Sequence, residues 1–142
     1  MVPIYQRVYS WGEVECDRLW NDIVYAGTND QLKNHFTGSI VYVEREEGTR
    51  TSQEPDLIID GQQRVTTVML LLAALASHLD SLPADQREPV EGFAPRKIRH
   101  RYLTNADEDG DRFYKLILSK SDKPALQALL SGNPAPEGSG LP

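Results

Sequence analysis

The sequence predicts one α+β domain, built from a small mixed sheet and a buried central helix. Residues 36–43, FTGSIVYV, are rich in β-branched and aromatic side chains, which is typical of a strand. The apolar run LII at 57–59 predicts a second strand, and the mainly apolar residues 62–79 after it predict a helix without a polar stripe. Because a helix that is apolar all round lies inside a protein, we expect this one at the centre of the fold.

The helix before the sheet and the segment after the central helix are predicted from helix-capping residues and from prolines and glycines. Ser10 and Glu13 match a capping box, which predicts a helix over residues 11–25 with Gly27 as its end. Three prolines and a glycine in residues 80–97 predict an irregular segment after the central helix.

The last elements are a predicted hairpin and a short helix. Residues 97–119 contain two strand-like stretches around Asp109 and Gly110, the pair most typical of a tight hairpin turn. Residues 124–132, PALQALLSG, predict a helix that ends at its own glycine.

Composition limits the domain organisation and the class of protein. The chain has 142 residues and a net charge of −6, which fits one domain over residues 1–130 with a flexible tail over 131–142. The acidic charge argues against a general electrostatic grip on nucleic acid. The single Cys16 excludes an internal disulfide, and the longest apolar run, residues 68–76, is shorter than the ~20 residues that span a bilayer. We therefore expect a cytoplasmic protein with no membrane partner.

The stretch LIIDGQQRVTT places polar residues between a strand and a helix. A strand, a tight glycine turn and a helix together present free backbone N–H groups and a positive dipole end to an anion. Gly61 would let the chain approach a phosphate, Arg64 would contact phosphate oxygens, and the hydroxyls of Thr66 and Thr67 lie in the first turns.

A purely structural interpretation of this turn carries equal weight. Asp60 as N-cap and Gln63 three residues later would form a capping box that needs no ligand. That interpretation leaves Arg64, beside a buried helix, without an explanation.

Other motifs give weaker indications. The segment NADEDGD at 105–111 resembles the start of a calcium loop, but Leu116 stands where the loop needs a bidentate glutamate, so we favour a solvated turn. The three histidines lie far apart, and no metal site is predicted.

The basic segment RKIRHR would either contact a DNA backbone or form a solvated strand face. The DNA contacts would come from its residues Arg96, Lys97, Arg99 and Arg101.

Four segments of the chain resemble the N-terminal domain of the GmrSD-type restriction family, which is marked by a DGQQR motif. In chain order they are VPIYQRVYSW, LWNDI, HFTGSIVYV and LIIDGQQRVTTVMLLLAAL. The resemblance covers about residues 2–76. It implies a fold similar to the ParB and sulfiredoxin superfamily, in which a G-x-x-R turn binds nucleotide phosphates. Gln62 stands where sulfiredoxin has its catalytic cysteine, so sulfinic acid reduction is not expected.

The resemblance also implies a function. Relatives bind and hydrolyse nucleoside triphosphates in modification-dependent restriction and phage defence, and a C-terminal HNH domain cuts DNA. No HNH motif occurs in this chain, so we expect a fragment or a minimal form that gates a nuclease domain or subunit elsewhere.

The leading hypothesis is thus a nucleotide-binding regulatory domain that acts as a slow NTPase with Mg²⁺. The phosphate contacts would come from Gly61, Arg64, Thr66 and Thr67, with Gln6 and Arg7 across the cleft. Residues Asp60, Gln62 and Gln63 would be catalytic, by orienting the turn and the attacking or metal-bound water. Two alternatives stay open: a non-enzymatic DNA-sensing module, and a protein-interaction module in which the turn is only structural.

Overall fold

The computed structural model describes residues 8–43, 55–119, 121–138 and 141. The predicted α+β class is confirmed, since these residues form helices around a small antiparallel sheet. In chain order the elements are α1 (Glu13–Thr28), β1 (Val41–Val43), β2 (Leu57–Asp60), α2 (Gln62–Ser81), α3 (Pro95–Ile98) and α4 (Lys123–Leu130).

The described sheet has two strands and leads directly into α2. Tyr42 lies opposite Ile58, whereas Val41 lies opposite Asp60, so Ile59 is an extra residue that forms a β-bulge. The first strand is shorter than the predicted 36–43, because Gly38 has φ +112° and breaks the extended conformation before the ladder begins. The bulge therefore lies immediately before the Asp60-Gly61 turn.

The central helix α2 has the predicted position, but one of its sides is open. Its buried residues recur at helical spacing and include Met69, Ala73 and Ala76. Met69 and Ala73 pack in a cluster with Leu126 of α4 and Leu103, and Ala76 packs in a second cluster with Ile98. The open side lies in the second half of the helix, where Leu75 is 39% exposed and its neighbours Ala74 and Ser77 are exposed as well.

The first helix begins two residues later than predicted. The Glu15 carboxylate accepts a hydrogen bond from the Gly12 N–H at 2.9 Å, which makes Gly12 the N-cap in place of Ser10. The helix also runs through Gly27 and ends at Thr28.

The predicted hairpin over residues 97–119 is wrong. α3 continues into a π-helical turn, Arg99–Leu103, and between the two stretches the described structure has an isolated bridge, Thr104 to Tyr114. The wide turn allows Ile98 and Leu103, five residues apart, both to be fully buried. The chain still reverses around Asp109-Gly110, but the stretch before this turn is helical because that conformation buries Ile98 and Leu103.

The last helix ends as predicted. Gly132 has φ +78°, and its N–H donates to the Leu129 carbonyl at 3.1 Å. Leu141, in the segment expected to be a tail, is 6% exposed and belongs to the main core cluster. The domain boundary at residue 130 and the flexibility of the tail stay predictions.

Gly61 is required where β2 meets α2. It has φ +86°, and a Cβ at this position would lie 2.9 Å from the Ser39 carbonyl oxygen and 3.2 Å from the Ile40 Cα. Both neighbours are backbone atoms of the segment that leads into β1, so they cannot rotate away as a side chain would. Gly61 therefore sets how closely α2 approaches that segment.

Gly61→Ala should destabilise the protein more than Gly92→Ala. Both glycines have nearly the same φ, +86° and +87°, but a Cβ on Gly92 meets nothing within 4 Å. Each alanine carries the left-handed backbone strain of about 1–2 kcal/mol, and only the one at position 61 adds a steric overlap of about 1 kcal/mol or more. Urea denaturation of the two variants measures the difference, and equal losses of stability would contradict the close approach at Gly61.

Candidate functional site

The DGQQR turn begins α2 without the predicted capping box. Gly61 is the N-cap, and its N–H donates to its neighbour Asp60 at Oδ1, 2.8 Å away. The Gly61 carbonyl accepts the first helical hydrogen bond, from the Val65 N–H at 3.0 Å. The box is ruled out because Asp60 lies before the cap and the Gln63 amide bonds elsewhere. The positive end of α2 thus lies against a half-buried turn.

Gln62 and Thr66 stabilise the turn from inside. Gln62 Nε2 donates to the Ile58 carbonyl of β2 at 2.8 Å, which ties the helix back to the strand. The Thr66 hydroxyl donates to the Gln62 carbonyl at 2.9 Å, and Thr66 is only 1% exposed. As placed, Thr66 contributes to packing under the turn and is out of reach of a ligand in solvent.

Gln63 holds the segment that follows the N-terminal residues. Its Oε1 accepts from the Ser10 N–H at 2.9 Å, and its Nε2 donates to the Val8 carbonyl at 3.2 Å. One side-chain amide therefore bonds to a backbone N–H and to a backbone carbonyl of the same segment, as a neighbouring strand would. Gln6 and Arg7, the predicted partners across the cleft, lie outside the described residues.

Tyr9 fixes the same segment from the other side. Its backbone N–H donates to Oδ2 of the buried Asp122 at 2.7 Å, and its hydroxyl lies 2.9 Å from the Thr67 hydroxyl. Burial raises the pKa of Tyr9 to about 12, while the hydrogen bond with Thr67 acts in the opposite direction. Thr67 also donates to the Gln63 carbonyl at 2.8 Å, so its hydroxyl is used within the fold.

Arg64 joins α2 to the segment before β1. Its Nη1 donates to the Ser39 carbonyl at 2.9 Å, and its guanidinium lies so close to Gly38 that a Cβ there would overlap it. In the described part of the chain, no other hydrogen bond is made by this guanidinium, which has five N–H donors. Arg64 is therefore held in place with most of its donors available.

A cleft of about 370 Å³ opens beside Arg64, between α1 and residues 36–38. We call it the Arg64 cleft. Its lining combines aromatic side chains with charges of both signs: Trp11, Glu15, Arg18, Leu19, Asp22, Phe36, Thr37, Gly38 and Arg64. Phe36 is 80% exposed, which is unusual for a phenylalanine beside a cavity.

A larger groove of about 600 Å³ lies between α1 and α2 and is mostly apolar. Trp20 of α1 and Leu70 and Ala74 of α2 line it, and Asp17 is its one charged lining residue. The groove was not predicted from the sequence. The available signal was that α2 has no polar stripe, so any side of the helix that is left open has to be apolar. The apolar residues on the open side of α2 line the groove.

The basic segment is helical, and half of its predicted DNA contacts are ion-paired. Arg99 Nη1 lies 2.6 Å from an Asp80 carboxylate oxygen, and Lys97 Nζ lies 2.8 Å from a Glu88 carboxylate oxygen. Arg101 lies 5.6 Å from the ring centre of its neighbour Tyr102, and Arg96 is exposed. The predicted strand face is wrong, and the ion pairs reduce the positive charge that the segment offers to DNA.

The described residues contain neither a metal-binding cluster nor a membrane-spanning helix. Among the described residues, no group of three or more His, Cys, Asp or Glu side chains is arranged to hold a metal ion. Within the same residues, no helix is long and apolar enough to cross a membrane.

The family model described as GmrSD restriction endonuclease, N-terminal domain, matches residues 1–138. No curated protein matches the chain.

Gln63→Ala should loosen the segment at Val8 to Ser10. The loss of both amide hydrogen bonds, together worth about 1–3 kcal/mol, should raise the hydrogen-exchange rate of the Ser10 amide about 5- to 150-fold. Gln127→Ala is the control, since it removes a glutamine amide that bonds only at the surface, to Asp111. An unchanged Ser10 exchange rate in Gln63→Ala would show that Gln63 does not hold the segment.

Tyr9 should make the fold sensitive to alkaline pH. Because its folded pKa, about 12, exceeds its usual value near 10, the folded state keeps a proton that the unfolded chain releases. The contribution of Tyr9 is complete below about pH 10 and is lost as the pH rises towards 12. In urea denaturation across this range, Tyr9→Phe should lose less stability with pH than the wild type. Tyr42→Phe, which alters a tyrosine that is 54% exposed, is the control and should follow the wild type; parallel curves for all three proteins would refute the prediction.

Proposed function

The chain belongs to the family of GmrSD restriction endonuclease N-terminal domains, and from this premise we propose that it binds a nucleoside triphosphate at the DGQQR turn. Binding there would regulate the DNA cleavage of a restriction system. The nuclease activity is assigned to an HNH domain or subunit that works with this domain.

The placement of Arg64 is the observation that carries the proposal. Its guanidinium is fixed by the Ser39 carbonyl, and the residue belongs to the first turn of α2, at the positive end of the helix. Planar guanidinium donors and a helix N-terminus both favour phosphate oxygens. The bond to Ser39 gives Arg64 a structural role, but it uses one of five N–H donors, and a capping role does not require an arginine here.

The polar residues of the motif divide into two groups. Gln63 uses both ends of its amide on the Val8 and Ser10 backbone, so we assign it to positioning the N-terminal segment. Asp60 Oδ2 and Gln62 Oε1 have no hydrogen-bond partner among the described residues. If the domain hydrolyses its nucleotide, these two oxygens are the candidates for orienting the attacking water. Gln6 and Arg7 are proposed to contact the phosphates from the far side.

Asp60 also suits the Mg²⁺ that accompanies a nucleoside triphosphate. Mg²⁺ is usually held by one or two carboxylates together with the phosphates, so it does not require a cluster of protein ligands. The exposed Asp60 carboxylate, with one oxygen on the Gly61 N–H and the other available, fits this pattern. The metal would supply charge neutralisation on the phosphates, and the chain's own contribution is the fixed positive site at Arg64 and α2.

Two alternatives have different support. The ion pairs of Lys97 and Arg99 weaken a DNA-sensing role for the basic segment. The apolar groove between α1 and α2 is compatible with a protein-interaction module. Such a module would need neither Arg64 nor a nucleotide, which makes Arg64 the residue that separates it from the proposed function.

Arg64→Ala should lower nucleotide affinity about tenfold or more, because hydrogen bonds to charged groups are worth about 1.5–3 kcal/mol. Isothermal titration calorimetry with ATP, GTP, CTP and UTP in the presence of Mg²⁺ measures the effect. Arg64→Lys should restore affinity only in part, since lysine keeps the charge but loses the planar fork.

Arg96→Ala is the matched control for charge, because it removes an exposed arginine from the basic segment. It should bind nucleotide as the wild type does. Circular dichroism must show that Arg64→Ala is folded, since that variant also loses the bond to Ser39. A folded wild type that binds no nucleotide would overturn the proposal.

A further inference from the structure

We propose that the Arg64 cleft is the nucleobase pocket of this site and that it prefers guanine to uracil. The inference rests on the proposed function, because it assumes that triphosphate lies at the DGQQR turn. The turn is proposed to bind the phosphates of the nucleotide, and the cleft is proposed to bind its base.

Arg64 connects the two places. It belongs to the first turn of α2, and its guanidinium lies over Gly38, in the wall of the cleft. A ligand whose phosphates contact Arg64 therefore has this cleft directly beside it. The larger groove between α1 and α2 is a poorer choice, because Arg64 does not line it.

Phe36 supplies a surface on which a base can stack. Its ring is 80% exposed, although it lies at the mouth of a cavity. Trp11, on the other side, is partly buried against the main core cluster and is therefore a fixed wall. Stacking of a base on an aromatic ring accounts for the exposure of Phe36, which packing within the described residues does not.

The polar lining gives the preference between bases. Asp22 Oδ1 lies 3.4 Å from His35 Nε2, and this buried nitrogen has no hydrogen-bond partner in the described part of the chain. The two side chains are within ion-pair distance but form no hydrogen bond, and the Asp22 side chain is 40% exposed, so its carboxylate is open to the donors of a ligand. Guanine presents two parallel N–H donors that a carboxylate can accept, and a carbonyl oxygen that Arg18 can contact. Uracil offers the carboxylate one N–H donor, and this donor is flanked by two carbonyl oxygens that the carboxylate would repel.

Glu15 is the other carboxylate of the cleft, and it is already used. Its Oε2 accepts the Gly12 N–H at 2.9 Å and thereby caps α1. Asp22 is therefore the specificity-determining residue, while Glu15 holds the helix that carries Asp22.

The test compares GTP, UTP and inorganic triphosphate, each with Mg²⁺, by calorimetry on the wild type and two variants. The wild type should bind GTP about tenfold or more tightly than UTP, and inorganic triphosphate more weakly than GTP. Phe36→Ala should weaken GTP binding about tenfold and leave triphosphate binding unchanged. Asp22→Asn should bring the GTP-to-UTP affinity ratio close to one, also with unchanged triphosphate binding.

Asp17→Asn is the matched control, because it neutralises an acid of the same helix that lines the groove instead of the cleft. It should leave both the affinities and their ratio as in the wild type. If the wild type binds triphosphate and nucleotides but neither Phe36→Ala nor Asp22→Asn changes the pattern, the base pocket is refuted and the phosphate site stands. Tighter binding of UTP than of GTP would likewise refute the pocket. If no phosphate compound binds, the proposed function itself fails.

Discussion

The close contact between Gly61 and the Ser39-Ile40 backbone is the constraint on which the rest of the site depends. It requires a residue without a side chain in a left-handed conformation, and it lets α2 begin directly against the segment that enters β1. Arg64 then reaches the Ser39 carbonyl, and Gly38 leaves room for its guanidinium. Two glycines on two separate segments thus position one arginine, and the Arg64 cleft forms beside it.

The glutamines of the motif stabilise this arrangement, and they are less free for catalysis than the sequence implied. Gln62 bonds back to β2, and Gln63 holds the segment at Val8 to Ser10. Tyr9 adds the buried contact with Asp122, which links that segment to the start of α4. The turn is therefore connected to residues 8–10 and, through Tyr9, to the start of α4.

The sequence predicted those features that depend on local chemistry. The start of α2 at Gln62 followed from an apolar strand, an Asp-Gly pair and a helical pattern, and the end of α4 followed from Gly132. It failed where tertiary packing decides: Ile98 and Leu103 favour a helical turn over the hairpin, and pairing with Asp80 and Glu88 neutralises half of the basic segment. The Arg64 cleft joins residues 11–22, 36–38 and 64, and no local pattern shows that they meet. The ParB-like architecture and the role of each site residue stay predictions.

The most direct test of the central claim follows backbone amide shifts by ¹H–¹⁵N NMR while a nucleoside triphosphate with Mg²⁺ is added. If phosphate lies against the positive end of α2, the largest shifts should occur at Gln62, Gln63 and Arg64, with smaller shifts at Ser39 and Ile40, which contact this turn. Shifts confined to the basic segment at residues 96–101, or absent from the first turn of α2, would contradict the account.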